Sequence, residues 1–121
     1  ELNHMYESYL LNKHIYYILT IENKIVGGAG IAPLKNSDKN ICELQKMYFL
    51  PVARGKGLGS LMIKKCIDFA SKSRFEYCYI ETMHNMINAQ KLYTRYGFEF
   101  IDSPLGNTGH SSCPVWMLKK L

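Results

Sequence analysis

Residues 54–60 read Arg-Gly-Lys-Gly-Leu-Gly-Ser, and an amphipathic helical pattern begins directly after them. The alternating glycines allow the backbone to curl tightly, so that several N–H groups point into one concavity. A helix N-terminus adds unpaired N–H groups and a partial positive charge, and Arg54 and Lys56 add full charges. This segment is therefore suited to bind a phosphate or pyrophosphate. The alternative is a tight strand-to-helix turn whose basic side chains face water.

The segment differs from two common phosphate-binding loops. A Walker A loop has Gly, four residues and then Gly-Lys-Ser/Thr, and the sequence contains no such run. A dinucleotide-binding loop reads Gly-x-Gly-x-x-Gly, whereas Gly55, Gly57 and Gly59 are spaced as Gly-x-Gly-x-Gly. The spacing therefore argues against both of these nucleotide-binding classes.

Length and composition predict one packed domain over residues 1–121. The hydrophobic fraction is 47%, and the net charge is +5. Because Lys and Arg are spread along the chain, we expect an anionic ligand but no nucleic-acid partner. No apolar run approaches about 18 residues, so we expect no membrane association. The four cysteines form no Cys-x-x-Cys pair, which favours free thiols in a reducing cytoplasm.

The pattern on both sides of the turn predicts an α/β (α+β) domain. Segments 14–21 and 25–32 read as a hairpin, and glycines at 27, 28 and 30 indicate close approach by another backbone or side chain. Residues 1–12 have a helix-like spacing. After the hairpin, the sequence predicts a strand at 41–50, a helix after the turn, a strand at 75–81, a helix at 88–96, and strands at 98–101 and 114–118. This order implies a mixed, mostly antiparallel central sheet with flanking helices and one parallel crossover.

Two motifs resemble those of the GNAT superfamily of acetyl-CoA-dependent N-acetyltransferases. Residues 54–59 match the family's Gln/Arg-x-x-Gly-x-Gly/Ala pyrophosphate turn, and residues 89–98 match its Ala-x-x-Leu-Tyr-x-x-x-Gly-Phe signature. The resemblance covers about residues 13–121 and implies an acyl-CoA N-acyltransferase-like fold. Family members usually begin with another strand and helix. Because the chain has room for only a fragment of that region, we expect this N-terminal strand and helix to be missing and residues 1–12 to be a remnant of the N-terminal helical region.

The resemblance implies acetyl-CoA as cosubstrate and no metal. The turn would hold the pyrophosphate, and the backbone of the preceding strand would pair with the pantetheine arm. Family members often carry Asn seven residues before the motif tyrosine, where this chain has Met86, with two asparagines close by. The implied cofactor-binding residues are Tyr48, Phe49, Leu50, Arg54, Gly55, Lys56, Gly57, Leu58, Gly59, Ser60, Asn85, Asn88 and Tyr93.

Acetyl transfer to an amine requires a neutral nucleophile, and this requirement points to a general base. Glu43, eleven residues before Arg54, lies where some family members carry such a base. The alternatives for Glu43 are a solvent-facing carboxylate or an ion pair with Lys46. His84 and His110 are the other candidate bases.

The leaving thiolate requires a hydrogen-bond donor. Tyr93 matches the family's tyrosine for this role, and the alternative is a core aromatic on the helix stripe. His110 and Cys113 are too few for a structural zinc site and lack a third group for a nucleophilic pair.

The predicted activity is acetyl transfer from acetyl-CoA to a primary amine of a small molecule or peptide, by direct attack in a ternary complex. The first alternative is a non-catalytic acyl-CoA-binding module of the same fold. The second is an enzyme that uses a longer acyl-CoA. Glu43, Glu81 and Asp102 favour a cationic acceptor, and a homodimer is common in such folds.

Overall fold

The computed structural model of the protein describes residues 2–6, 13–35, 37, 40–106 and 115–121. These residues form one seven-stranded sheet and two α-helices. The strands are β1 (Leu2–Tyr6), β2 (Ile15–Ile21), β3 (Lys24–Pro33), β4 (Ile41–Phe49), β5 (Tyr77–Thr82), β6 (Glu99–Ile101) and β7 (Val115–Lys120). The helices are α1 (Leu58–Lys72) and α2 (Ile87–Arg95), and a 3₁₀ turn at Pro51–Ala53 follows β4.

The sheet has the mixed, mostly antiparallel topology that the sequence predicts. The strand order is β1-β2-β3-β4-β5-β7-β6. Among the strands that the structure describes, only the β4–β5 pair is parallel, and α1 makes the crossover between its two strands. The elements predicted after residue 13 are all present, with ends shifted by at most two residues. Within the described residues, neither helix has the length and apolar content needed to cross a membrane.

The β2–β3 hairpin confirms both sequence predictions made for it. Glu22 and Asn23 form its two-residue turn with φ of 50° and 65°, the left-handed geometry of a type I′ turn. Tyr16 lies flat across the glycines of β3. A Cβ atom at Gly28 would lie 2.6 Å from the Tyr16 hydroxyl, and one at Gly30 would lie 2.7 Å from the Tyr16 ring. A side chain therefore fills the space that these glycines leave.

Two apolar clusters cover the two faces of the sheet. The larger cluster packs the buried stripe of α1 against alternate residues of β2 to β5. The smaller one, which we call the second cluster, contains Leu34, Ile41 and Tyr79, with Trp116 and Leu105 packed against it. Because side chains alternate along a strand, β4 and β5 each supply residues to both clusters.

The prediction that the cysteines are free thiols is confirmed for those that the structure describes. Cys42, Cys66 and Cys78 are all buried and free. Burial raises the pKa of the Cys66 thiol, and a hydrogen bond with Cys42 together with burial raises the pKa of the Cys78 thiol. The Cys66 and Cys78 thiols are therefore protonated and unreactive at neutral pH. Cys113 lies outside the described residues.

The helix-like interpretation of residues 1–12 is wrong where the structure describes them. Leu2–Tyr6 is a strand that pairs antiparallel with β2, from Leu2↔Leu19 to Tyr6↔Tyr16. An isolated helix shorter than about 12 residues is marginal in water, whereas the edge of the hairpin offers a complete hydrogen-bonding ladder. Sheet pairing therefore outweighs the local spacing.

Candidate active site

The turn predicted to bind pyrophosphate is an open, left-handed loop at the surface. Gly55 and Gly57 have φ of 75° and 73°, and a Cβ atom built on either would meet no other atom within 4 Å. Left-handed backbone of this kind arranges successive N–H groups around a concavity. Residues 54–57 are all exposed, so the concavity is accessible to a ligand.

The start of α1 supplies further donors to this turn. Gly57 is the N-cap residue, and no side chain caps the helix. Acidic residues are absent from its first turn, which contains Leu58, Gly59 and Ser60. Arg54 does not point freely into solvent, because its Nε donates a hydrogen bond to the carbonyl of Phe49 at 3.0 Å. Its guanidinium therefore links the turn to the end of β4.

A cleft opens between β4 and β5 beside this turn. The parallel β4–β5 ladder runs from Ile41↔Tyr77 to Glu43↔Tyr79 and ends there, although both strands continue beyond these residues. The register of β4 also shifts against β3 around Lys46, whose φ is 53°, as in a β-bulge. The second half of β4 is thus paired with β3 on one side and separated from β5 on the other. We call this space the β4–β5 cleft.

The backbone groups of Tyr48, Phe49 and Leu50, which are predicted to contact the cofactor, do not all face the same side. The N–H of Leu50 donates to Val26 of β3 at 2.7 Å. Backbone groups of a strand alternate between its two edges, so Tyr48 also faces β3 and Phe49 faces the β4–β5 cleft. The Phe49 carbonyl, which accepts the Arg54 bond, is therefore on the cleft side.

Tyr93 reaches the cleft from α2. It is 6% exposed and packs on Phe98, with ring centroids 5.9 Å apart. Its hydroxyl lies 3.9 Å from the sulfur of Met47 on β4. Burial, followed by the nearby Cys66 and Cys78, raises the pKa of Tyr93 to about 12. The phenol is therefore neutral at physiological pH and available as a hydrogen-bond donor.

Glu43 lies where the β4–β5 ladder ends. It is 4% exposed, so the interpretation as a solvent-facing carboxylate is wrong. Its Oε1 accepts a hydrogen bond from Gln45 Nε2 at 2.8 Å. Because Glu43 is two residues from Ile41, it shares the face of the second cluster, whereas Tyr93 belongs to the larger cluster. The two candidate catalytic residues therefore approach the cleft from opposite faces of the sheet.

The remaining candidates lie at the edge of the site or outside the described residues. His84 and Asn85 form an exposed turn between β5 and α2, and Asn88 is exposed in the first turn of α2. Met86 is the N-cap of α2 and is also exposed. The described residues contain no group of three His, Cys, Asp or Glu side chains placed to hold a metal. His110 and Cys113 lie outside the described residues.

Two residues of this region have no signal in the sequence. Met47 contacts the Tyr93 hydroxyl only because the β4 bulge turns it toward α2. Tyr79 is fully buried, yet its hydroxyl bonds both Glu81 and the backbone of Leu105. An aromatic residue in an apolar strand pattern predicts core packing, so sequence alone gives no reason to single out Tyr79.

The family assignment follows from a match to known sequences. Residues 1–98, which include both motifs, match the model of the Acetyltransferase (GNAT) family. The chain belongs to the GNAT acetyltransferase family. Among its relatives is the uncharacterized N-acetyltransferase YjgM of Escherichia coli, which is 46% identical over 120 residues. That alignment covers 99% of this GNAT chain and 72% of YjgM.

Solved structures show the same GNAT fold. A GNAT-family acetyltransferase from Staphylococcus aureus superposes with a TM-score of 0.81 at 24% identity, over 94% of this chain and 72% of its own. A GNAT-family acetyltransferase from Elizabethkingia anophelis, solved with acetyl-CoA bound, gives a TM-score of 0.70 at 20% identity. This second alignment covers 95% of this chain and 80% of the other. At these identities the likeness extends to the fold alone.

Proposed function

We propose that the protein transfers the acetyl group of acetyl-CoA to a primary amine by direct attack in a ternary complex. The observation that carries the proposal is the β4–β5 cleft, with the left-handed turn at one end and Tyr93 and Glu43 on its opposite faces. The bound acetyl-CoA of the Elizabethkingia relative supports the same cosubstrate here. No metal has a role in this chemistry.

The turn and the cleft would each bind a different part of the acyl donor. Backbone N–H groups of residues 55–60 and the charge of Lys56 would bind the pyrophosphate, which needs several donors around it. The cleft-facing backbone of Phe49 would pair with the amide-containing arm as an added strand does. Tyr48 and Leu50 would contribute side-chain surface, since their main-chain groups face β3, and Asn85 and Asn88 lie where α2 begins.

Tyr93 would stabilise the leaving sulfur with a hydrogen bond. As the amine nitrogen bonds the carbonyl carbon, the carbon–sulfur bond breaks and negative charge collects on sulfur. With a Tyr93 pKa of about 12 and a thiol pKa near 8.5, complete proton transfer from the phenol is uphill by about 5 kcal/mol. Tyr93 therefore donates a hydrogen bond, and the thiolate takes its proton from solvent after it leaves.

Glu43 would accept the proton that the attacking amine loses. A lysine-like amine has a pKa of about 10.4, so almost all of it is protonated at neutral pH. A carboxylate at the closed end of the cleft, held by Gln45, can accept this proton directly or through a water molecule. The buried position keeps Glu43 near the reacting centre rather than in bulk solvent.

We expect Glu43→Gln to lower kcat/KM about 10²-fold near neutral pH. Glutamine keeps the shape and can still accept the Gln45 bond, so the fold is retained. The deficit should shrink as the pH approaches the amine pKa, because less of the amine then needs a base. Initial rates of thiol release between pH 6.5 and 10 measure this. The matched control is Glu76→Gln, which changes an exposed carboxylate beside β5, and a deficit that stayed constant with pH would contradict the base assignment.

The proposal as a whole is tested by calorimetric titration of the 121-residue chain with acetyl-CoA, CoA and ATP. We expect micromolar binding of both CoA species and much weaker binding of ATP, because the turn and cleft together recognise the diphosphate and the arm. Equal affinity for ATP would contradict the cleft assignment. Thiol release with added primary amines then distinguishes an enzyme from an acyl-CoA-binding module, since a module binds acetyl-CoA without turnover.

The cellular setting is also a proposal. Three free, buried thiols support a reducing compartment such as the cytoplasm. The acceptor class, a small-molecule or peptide amine, and a homodimer stay predictions from the sequence.

A further inference from the structure

Tyr79 forms a buried polar bridge between β5 and the segment that follows β6. Its side chain is 0% exposed, in the centre of β5. The hydroxyl donates to Glu81 Oε2 at 2.6 Å and accepts the backbone N–H of Leu105 at 3.0 Å. A hydroxyl has one proton to donate. Because the backbone N–H of Leu105 provides the proton in the other bond, the tyrosine proton lies in the bond to the Glu81 carboxylate. One atom therefore connects a charged side chain to the segment that follows β6.

This bridge lies beside Glu43, the proposed base, where the β4–β5 ladder ends. Glu43↔Tyr79 is the last pair of the parallel ladder, and Glu81 follows on the part of β5 that has separated from β4. Strand alternation places Tyr79 and Glu81 on the same face as Glu43. Burial, and next the hydrogen bond to Glu81, raise the pKa of the Tyr79 hydroxyl, while the hydrogen bond from the Leu105 backbone lowers it. The hydroxyl therefore keeps its proton and donates it to Glu81.

We propose that Tyr79 is a positioning residue for the acceptor amine. By holding the Glu81 carboxylate and the Leu105 backbone in one hydrogen-bonded bridge, it fixes the surface that the amine meets as it approaches Glu43. The inference rests on the proposed function, because an acceptor site has meaning only for an acyltransferase. The acyl donor would bind elsewhere, at the turn and along β4.

The test compares Tyr79→Phe with the wild type. Phenylalanine fills the same space in the second cluster but removes the bridging hydroxyl. We expect the KM for the amine to rise about tenfold, because a buried hydrogen bond to a charged group is lost. Both kcat and the acetyl-CoA Kd should stay within about twofold, since neither Tyr93 nor the turn is touched. The probes are ethanolamine, putrescine, L-lysine and the dipeptide Ala-Ala, each assayed by thiol release.

Two further variants separate positioning from a general loss of structure. Tyr77→Phe is the matched control, because Tyr77 lies two residues earlier on the same strand and packs against the same cluster, and we expect wild-type constants for it. Glu81→Gln should also raise the amine KM. If Tyr79 acts through Glu81, the double variant should be no worse than the poorer single one. Purely additive effects would contradict the bridge.

Failure of this inference is distinguishable from failure of the proposed function. A wild-type chain that binds no acetyl-CoA or releases no thiol contradicts the proposed function. Wild-type turnover with an unchanged amine KM in Tyr79→Phe contradicts only the role of Tyr79. Amide hydrogen exchange at Leu105 tests the bridge without turnover: exchange should be faster in Tyr79→Phe than in Tyr77→Phe, and equal rates would overturn the bridge.

Discussion

Replacing Tyr93 with phenylalanine should lower kcat by about 10²–10³-fold, the effect of removing one preorganised donor from a developing negative charge. The affinity for acetyl-CoA should change little, because the hydroxyl strengthens its interaction only as the carbon–sulfur bond breaks. Burial beside Met47 excludes the water that would otherwise replace the missing donor. Initial rates at saturating acetyl-CoA, with a parallel calorimetric titration, measure the two effects separately.

The matched control is Tyr96→Phe on the same helix. Tyr96 is half-buried against the larger cluster, and the Lys64 ammonium lies 5.9 Å from the centroid of its ring. Loss of its hydroxyl should leave kcat near the wild-type value. If Tyr93→Phe turned over at the wild-type rate, Tyr93 would be a core aromatic only. A fall in acetyl-CoA affinity with unchanged kcat would instead make it a binding residue.

The role of Tyr93 as a hydrogen-bond donor also predicts how the reaction rate depends on pH on the alkaline side. Burial raises the pKa of Tyr93 to about 12, so the phenol keeps its proton throughout the range in which the protein is assayed. If the catalytic tyrosine had an ordinary pKa near 10, the rate would fall as the pH approached 10, because the phenol would lose its proton. We therefore attribute to the amine, and not to Tyr93, a change in rate as the pH rises toward 10.

The fold could be predicted because its local signals agree with its tertiary packing. The β2–β3 hairpin, the amphipathic stripe of α1, and the crossover between β4 and β5 each follow from hydrophobic period and turn chemistry. Residues 2–6 are the exception, because a five-residue segment is too short for its spacing to distinguish a helix from a strand. Their conformation depends on the free edge of β2, which lies many residues away in sequence.

The geometry of the candidate site was predictable where one stretch of chain forms it, and not where distant stretches meet. Gly55 and Gly57 adopt left-handed φ, which a residue without a Cβ atom allows at no steric cost, so the local sequence is sufficient there. The bridge at Tyr79 depends on the β6–β7 connection returning Leu105 to β5, and the Met47 contact depends on a bulge. Long-range register determines both, and no local pattern encodes it.

Gly57→Val should reduce acetyl-CoA affinity at least 100-fold while the domain stays folded. A β-branched residue at φ of 73° is strained by about 1–3 kcal/mol, which the exposed turn can relieve by changing its backbone. A typical domain stability of about 5–15 kcal/mol tolerates this cost. A Cβ atom at this exposed position would meet no atom within 4 Å, so core packing is untouched. The altered backbone, however, no longer directs its N–H groups to one anion.

Gly57→Asn separates backbone conformation from side-chain bulk at the same position. Asparagine adopts left-handed backbone more readily than other non-glycine residues, so the turn should keep its shape. If conformation decides binding, Gly57→Asn retains most of the affinity that Gly57→Val loses. If both variants fail equally, the phosphate approaches the Gly57 α-carbon too closely for any side chain. Thermal unfolding should show both variants folded, and wild-type affinity in Gly57→Val would remove the pyrophosphate from this turn.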